Sequence, residues 1–200
     1  EMDSYAQNYP DWGMPFGLPA LSAPEDEILQ TWLRNGAKMA PPKPLENNYI
    51  AQIATWENYL NGDSLKEKLV SRYLYEHWFI AHMYFSELPA GEFFKVVRSR
   101  TPPGQPIDII ATRRPYDDPG VDRVYYRFWR EQGTILEKTH MPYALNNDRL
   151  ATFNQLFYQD NYQVKTLPSY KPEVASNPFK AFEAIPTVAR YKFLLEEAEF

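Results

Sequence analysis

The sequence predicts an α+β fold, mostly helical with a small antiparallel sheet. Apolar residues recur at helical spacing in the first and last thirds of the chain, and they alternate with polar residues only in the middle. The 200 residues are 44% hydrophobic and 16% aromatic, enough for one sizeable core and a small appended module. The sequence shows no internal repeat that would indicate a solenoid.

The first predicted helix begins at Ser22, which has the capping-box spacing to Glu25, and it ends at Gly36. The proline-rich residues 1–21 before it are predicted to be irregular. A second proline-rich stretch at 40–44 is predicted to be a linker. We expect the apolar side of the first helix to be buried, namely Ile28, Leu29, Trp32 and Leu33.

Two more helices are predicted before the sheet. One runs from Asn48 to Leu60, and the other begins at a second capping box, formed by Ser64 and Glu67. The latter is apolar on more than one side, which predicts a central helix that continues to Phe85. Its stripes are Leu69, Tyr73, His77, Ile80 and Tyr84 on one side and Tyr75, Trp78, His82 and Phe85 on another.

Alternating residues at 94–97 and 124–129 predict two or three strands, paired antiparallel. The remaining predicted elements are a helix at Asn147–Phe157, a short strand at Tyr162–Leu167, a short helix from Asn177 and an amphipathic helix at Ile185–Phe200.

Arginine is concentrated in one irregular segment, Arg98–Asp118, with the sequence RSRTPPGQPIDIIATRRPYDD. Seven of the eleven arginines lie between Arg98 and Arg130, a stretch without lysine. The planar guanidinium group matches carboxylate and phosphate geometry better than lysine does. Two interpretations remain open: the arginines bind an anionic ligand, or they pair with the nearby aspartates Asp108, Asp117, Asp118 and Asp122.

Composition and missing motifs exclude several classes of function. A net charge of −5 argues against general nucleic-acid binding, and no apolar run is long enough for a transmembrane helix. The sequence has no GxSxG, HExxH, P-loop or dinucleotide-binding glycine pattern. Without cysteine, these residues form no disulfide, no thiolate nucleophile and no CxxCH haem attachment site.

Histidine and methionine supply the candidate ligands. His77 and His82 are five residues apart on a predicted helix, so they point about 140° away from each other and do not readily share one ion. His140 precedes a proline turn and is the more exposed candidate. Met14, in an MPFG loop ahead of a helix ending WLRNGA, has the layout of the distal half of a c-type cytochrome, where methionine can be an axial haem ligand. For each of these four residues, the alternative is a role in packing only.

Six long segments together resemble the fatty acid cis/trans isomerases of Gram-negative bacteria. These segments are WGMPFGLPALS, WLRNGA, VSRYLYEHWFIAHMYF, VVRSRTPPGQPIDIIATRRPYDDPG, KTHMPYAL and ASNPFKAFEAIPTVARYKFLL. The resemblance runs from about Tyr5 to Phe200. It implies a periplasmic enzyme with a covalent haem c that converts cis double bonds of phospholipid acyl chains to trans, without ATP or reductant. A ferric haem would weaken the π bond so that the chain can rotate about it.

The resemblance also implies a domain organisation. Residues 1–40 would be the distal part of a cytochrome c-like domain, and residues 45–200 a family-specific α+β domain truncated at its C-terminal end. The CxxCH motif of the family would lie upstream, so we expect an internal fragment that is inactive alone. An alternative is a non-enzymatic, cytochrome-associated module for lipid binding or electron transfer.

Site roles follow from the same resemblance. Met14 would be the first choice for the axial ligand, with His77, His82 and His140 also candidates for that role or for contact with haem. Four arginines would hold the lipid phosphate, a fatty-acid carboxylate or a haem propionate: Arg98, Arg100, Arg113 and Arg114. These arginines and His140 form the predicted catalytic set. The aromatic residues of the central helix would line an acyl channel or, alternatively, form the core. The substrates would be membrane phospholipids or free unsaturated fatty acids, reached by peripheral contact with the membrane.

Overall fold

The computed structural model describes residues 2–12, 21–39, 41, 43–133, 135 and 140–198. The chain divides into two compact units, residues 1–43 and residues 44–200. This boundary falls in the predicted proline linker. The likeness of residues 1–40 to a cytochrome c domain stays a prediction, and Met14 lies outside the described residues.

The first unit contains helix α1 (Met2–Asn8), a 3-10 turn (Pro10–Trp12) and helix α2 (Ala23–Arg34). The prediction that residues 1–21 are irregular is therefore wrong for the described part of that range. The start of α2 is confirmed, because Glu25 accepts a hydrogen bond of 2.8 Å from the backbone N–H of Ser22.

The apolar side of α2 is exposed, contrary to the prediction. The helix has no buried residue, and Ile28 is the most exposed of the four at 71%, followed by Leu33, Leu29 and Trp32. Amphipathic spacing identifies which side of a helix is apolar, but it does not supply the element that covers it.

The second unit begins with helices α3 (Asn47–Leu60) and α4 (Leu65–Trp78). The capping box before α4 is present: Glu67 accepts from the N–H of Ser64 at 2.9 Å, and the Ser64 hydroxyl accepts from the N–H of Glu67 at 3.2 Å. Helix α4 is central, with eight buried residues, which confirms the prediction from its several apolar sides.

The predicted continuation of α4 to Phe85 is wrong, because His82–Phe85 forms strand β1. The other strands are β2 (Phe93–Ser99), β3 (Tyr125–Glu131) and β4 (Pro142–Leu145), in the order β3-β2-β1-β4. Strand β1 lies between β2 and β4, so its pairing on both edges overrides the helical spacing of its short apolar run.

The sheet is mixed. Strands β2 and β3 pair antiparallel over their whole length, from Phe93 opposite Glu131 to Ser99 opposite Tyr125. The β1–β2 pair is also antiparallel, but β4 pairs parallel to β1, and the sequence did not predict β4. Because β4 is parallel to β1 and distant from it in sequence, no hairpin turn indicates their pairing.

Short helices complete the second unit: α5 (Asn147–Asn154), α6 (Pro172–Ala175), α7 (Pro178–Ala181) and α8 (Thr187–Lys192). Single π-helical turns, at Gln155–Gln159 and Phe193–Glu197, continue α5 and α8. The predicted strand at Tyr162–Leu167 is wrong. These residues form no regular element. The ring of Tyr162 lies against Lys66 of α4, whose Nζ is 4.0 Å from the ring centroid.

Aromatic side chains fill the core between α4, the sheet and the C-terminal helices. The rings of Trp56 and Trp78 meet edge to face at 6.3 Å, and Phe153 contacts both. Tyr73 and Phe193 extend the cluster, with centroids 5.3 Å apart. This packing places the aromatic residues of α4 in the core. The packing fixes the orientation of α4. Its polar residues Lys66 and Arg72 donate to carbonyls of the neighbouring loops, at Asp160 and Pro168.

Candidate functional site

Arg98 is a buried anchor of the arginine-rich segment. It lies on β2 with 1% of its surface exposed, and it donates to the carbonyl oxygen of Asp117 at 2.8 Å and to the hydroxyl of Thr112. Its guanidinium carbon lies 5.4 Å from the ring centroid of Tyr75 on α4. These contacts hold the irregular segment against the sheet and α4.

Two other arginines of the segment pair with its own aspartates. Arg100 lies 3.1 Å from the carboxylate of Asp108, and Arg114 lies 2.9 Å from that of Asp117. The bridge between Ser99 and Ile109 brings the ends of this loop together. Local ion pairing, one of the two interpretations left open by the sequence, is therefore present at both arginines.

Arg113 differs from its neighbours. Its side chain is exposed, and it makes no hydrogen bond or ion pair with the part of the chain that the structure describes. The carboxylate of Asp118, a partner suggested by the sequence, accepts from the N–H of Gly120 at 2.8 Å. Arg113 is thus the member of the predicted set that presents a whole guanidinium group to solvent.

A fifth arginine, Arg127, forms a buried ion pair. Its Nε lies 2.9 Å from Glu57 Oε2, and both side chains are less than one-tenth exposed. The other carboxylate oxygen of Glu57 accepts from the N–H of Phe128 at 2.9 Å. The remaining nitrogens of Arg127 donate to the carbonyls of Pro102 and Gln105, so this pair fixes the loop that follows β2.

The histidines occupy two environments. His77 lies in the core, where its Nδ1 is 2.7 Å from the carbonyl of Tyr73 and its ring packs on Tyr73 and Phe193. Burial lowers the pKa of His77. His82 and His140 are brought together, with ring centroids 5.1 Å apart and His82 Nδ1 hydrogen-bonded to the carbonyl of His140.

The rings of His77 and His82 have close neighbours within the chain. The His77 ring is enclosed by aromatic rings, and His82 Nε2 faces the carboxylate of Glu131 at 3.9 Å. Within the described ranges, no group of three or more histidine, aspartate or glutamate residues could hold a metal ion. Met14, the first choice for the axial ligand, lies outside these ranges.

A cavity with polar and apolar walls lies beside α4, and none of the predicted site residues lines it. Lys68 and Arg72 of α4 line it together with Arg123, Tyr126 and Tyr170, and its volume is about 80 Å³. We call it the α4 cavity. Sequence reasoning overlooked it, although one signal was present: Lys68 and Arg72 are four residues apart on a helix that is otherwise apolar on several sides.

The comparison with known families identifies the chain. A family model described as fatty acid cis/trans isomerase (CTI) matches residues 1–200. The chain belongs to the fatty acid cis/trans isomerase family. The family consists of enzymes that act on unsaturated fatty acids, so the predicted enzyme class is confirmed. No curated protein and no solved structure matched the chain.

Proposed function

We propose that this isomerase converts cis double bonds in the acyl chains of membrane phospholipids to trans, in the periplasm and with a haem, but without ATP. The family match over the whole chain supports the isomerisation. Because the trans isomer is the more stable one, the reaction needs no energy source. The non-enzymatic module considered from the sequence is less well supported, since the family is one of enzymes.

An exposed apolar surface on the last helices carries the proposal of a membrane substrate. Val188, Tyr191 and Leu195 have the spacing of one helix side, and their exposures are 64%, 52% and 69%. Phe179 on α7 is 67% exposed, and Lys192 provides an exposed cation beside this side. Large apolar side chains next to lysine are typical of helices that lie in the bilayer interface. In the described parts of the chain, no helix is long and apolar enough to cross a membrane.

The haem remains a proposal that rests on the resemblance. Since the 200 residues contain no cysteine, a covalent haem c would be attached elsewhere in the protein. The packing around His77 and His82 gives no reason to assign either residue to it. We therefore assign no step of the described domain to the haem, and Met14 stays the predicted axial ligand.

Arg113 is proposed to contact the phosphate or carboxylate group of the lipid. The loop around it is held by Arg98 and by the Arg114–Asp117 pair, so its guanidinium group is displayed on a fixed backbone. An exposed, unpaired guanidinium is free to form a bidentate contact with an oxyanion. Arg98, Arg100 and Arg114, in contrast, already have partners within the chain.

The central test is enzymatic. The complete reading frame would be expressed with haem maturation, and the trans to cis ratio of phospholipid acyl chains measured by gas chromatography. We expect a rise in this ratio that disappears when the haem-attaching cysteines are replaced. No rise with haem attached would contradict the proposal and favour the lipid-binding or electron-transfer module.

The membrane surface has its own test. Leu195→Asp and Val188→Asp place charge on the exposed apolar side of α8 and its continuation, so both should reduce cosedimentation with phospholipid vesicles. Ile50→Asp is the matched control, because Ile50 is a similarly exposed apolar residue, 53%, on α3. Equal binding by all three variants and the wild type would contradict this surface.

A further inference from the structure

The α4 cavity is lined by one side of α4, by Leu60 and Gly62 before this helix, and by two further stretches, 121–126 and 167–170. A buried water needs roughly 10–15 Å³ of such space, so about 80 Å³ accommodates several waters or one small polar group. That is room enough for a carboxylate or phosphate group. What it could bind therefore depends on the polar groups that line it.

Arg72 lines this cavity with a guanidinium group that is fixed by partners within the chain. The residue is 5% exposed; its Nε donates to Glu76 at 2.7 Å and its Nη1 to the carbonyl of Pro168 at 2.9 Å. Its Nη2 is buried and has no hydrogen-bond partner in the described parts of the chain. Because this nitrogen is buried, Arg72 contributes its positive charge, and not this donor, to the binding of an anion in the cavity.

Lys68 lies one helical turn before Arg72 on the same side of α4. Its side chain is half-buried, and it forms no ion pair or hydrogen bond with the residues that the structure describes. An ammonium group held by its stem beside an arginine favours an anion in the space between them. The two residues together supply two positive charges, of which that of Lys68 is unpaired.

The other polar residues shape the cavity. Arg123 also lines it, but its Nη2 already donates to the carbonyl of Asn61 at 2.8 Å and lies 3.3 Å from the carboxylate of Asp63. The ring of Tyr170 stacks on Arg72, with its centroid 3.9 Å from the guanidinium carbon, and fixes the guanidinium plane. Asp122 also lines the cavity and opposes an anion that approaches its carboxylate.

The rest of the lining is apolar and includes Leu60, Val124 and Leu167. Apolar walls add little to the binding of an inorganic ion, but they favour the first carbons of an attached chain. We propose that the α4 cavity binds an oxyanion at the end of an amphipathic ligand, with Lys68 Nζ as its donor and the guanidinium group of Arg72 as a second positive charge. The site is separate from Arg113, and binding there requires no isomerisation.

Binding is tested by titrating the 200-residue chain with sodium hexanoate, and separately with inorganic phosphate, using two-dimensional amide NMR. We expect hexanoate to shift the amide signals of Gly62 and Tyr126, which line the cavity. Lys68→Met, which keeps the apolar stem, should weaken this binding about tenfold, a typical effect of removing one charge-assisted hydrogen bond. Saturable phosphate binding at the same amides with the same loss would identify a phosphate oxyanion as the ligand.

Lys66→Met is the matched control. Lys66 is on the same helix and is also half-buried, but it donates to the carbonyl of Asp160 and does not line the cavity. It should keep the wild-type affinity. Arg72→Lys, which replaces the fixed guanidinium plane by a flexible ammonium group, should weaken binding while the amide spectrum remains that of the folded chain. Absence of binding by both probes, or an unchanged affinity of Lys68→Met, would overturn the proposal whether or not the enzyme isomerises lipids.

Discussion

The arginine-rich segment and the α4 cavity place positive charge in two different ways. In the segment, Arg100 and Arg114 lie close in sequence to Asp108 and Asp117 and pair with them. At the cavity, Lys68 and Arg72 come from one side of a helix, and the other walls include residues 121–126 and 167–170, further along the chain. In the segment, charged residues that are close in sequence pair with each other. At the cavity, the unpaired Lys68 lies where elements distant in sequence meet.

Burial makes the two regions differ in energy as well. Exposed ion pairs contribute roughly 0–1 kcal/mol, because water screens them and ordering two long side chains is unfavourable. Buried charged groups are much more sensitive to the loss of a partner. The stretch from Arg98 to Arg130 contains both exposed and buried arginines. Substitutions in it should therefore include strongly and weakly destabilising ones.

The largest expected effect is at Glu57, the buried partner of Arg127. Glu57→Ala leaves the Arg127 guanidinium and the N–H of Phe128 without their acceptor, so we expect the free energy of unfolding to fall by about 3–5 kcal/mol. Urea unfolding followed by circular dichroism measures it. Asp63→Ala is the control, because the Asp63 side chain is 99% exposed and pairs with Arg123 at the surface. Similar losses in both variants would contradict the distinction by burial.

Arg98 and Arg113 give the next comparison. Arg98→Met removes two hydrogen bonds from a buried guanidinium group and should lower the free energy of unfolding by about 2–3 kcal/mol. Arg113→Met should change it by less than about 0.5 kcal/mol, as at most exposed positions. In the complete enzyme, Arg113→Met should lower the rate of isomerisation at unchanged stability. An unaltered rate would remove Arg113 from the proposed function.

Elements with local signals could be predicted from the sequence. Both capping boxes are present, α3 and α5 lie where their spacing indicated, and β2 and β3 follow from alternation. The errors come from long-range structure. The end of α4 and strand β4 depend on β1 pairing with β4, and no nearby residue encodes that pairing.

The site shows the same limit. The arginines of the segment were visible in the sequence, but only their positions in the fold show that Arg98 is buried and Arg113 is free. Lys68 and Arg72 had a recognisable spacing, yet nothing in the sequence places Tyr170 over Arg72. Residue type suggests which chemistry is possible, and tertiary packing decides which groups remain available for it.

Substitution of Ser64 tests whether the N-terminal cap of α4 helps to position Lys68 at the cavity. The backbone N–H of Lys68 donates to the carbonyl of Ser64 at 3.0 Å, so the cap and the first cavity residue share one helical turn. Ser64→Ala should lower the free energy of unfolding by about 1 kcal/mol. It should also weaken hexanoate binding, because Lys68 is less well placed when the first turn frays. Ser64→Thr, which keeps the hydroxyl, should retain both properties.

The effect of Ser64→Ala should depend on pH. Hydrogen bonds from the side chain and the N–H of Ser64 favour the carboxylate of Glu67 and lower its pKa below the ordinary value of 4.5. A carboxyl whose pKa is lower in the folded state stabilises the fold above its unfolded pKa. That stabilisation is lost as the pH falls through the folded value. The difference between wild type and Ser64→Ala should therefore be largest near neutral pH and shrink below 4.5. A constant difference would show that the cap acts without the Glu67 charge.

The smallest effect is expected at Arg100, the exposed arginine of the segment. Arg100 and Asp108 lie 3.1 Å apart, with about half of each side chain exposed. Arg100→Gln should change the free energy of unfolding by less than about 0.5 kcal/mol, and the coupling to Asp108→Asn in a double-mutant cycle should be about 0.2–1 kcal/mol. A coupling as large as the loss at Glu57 would show that local pairs hold this segment as firmly as buried ones. With a small coupling, the loop depends instead on Arg98 and Arg127, and its exposed arginines can be changed without unfolding the site.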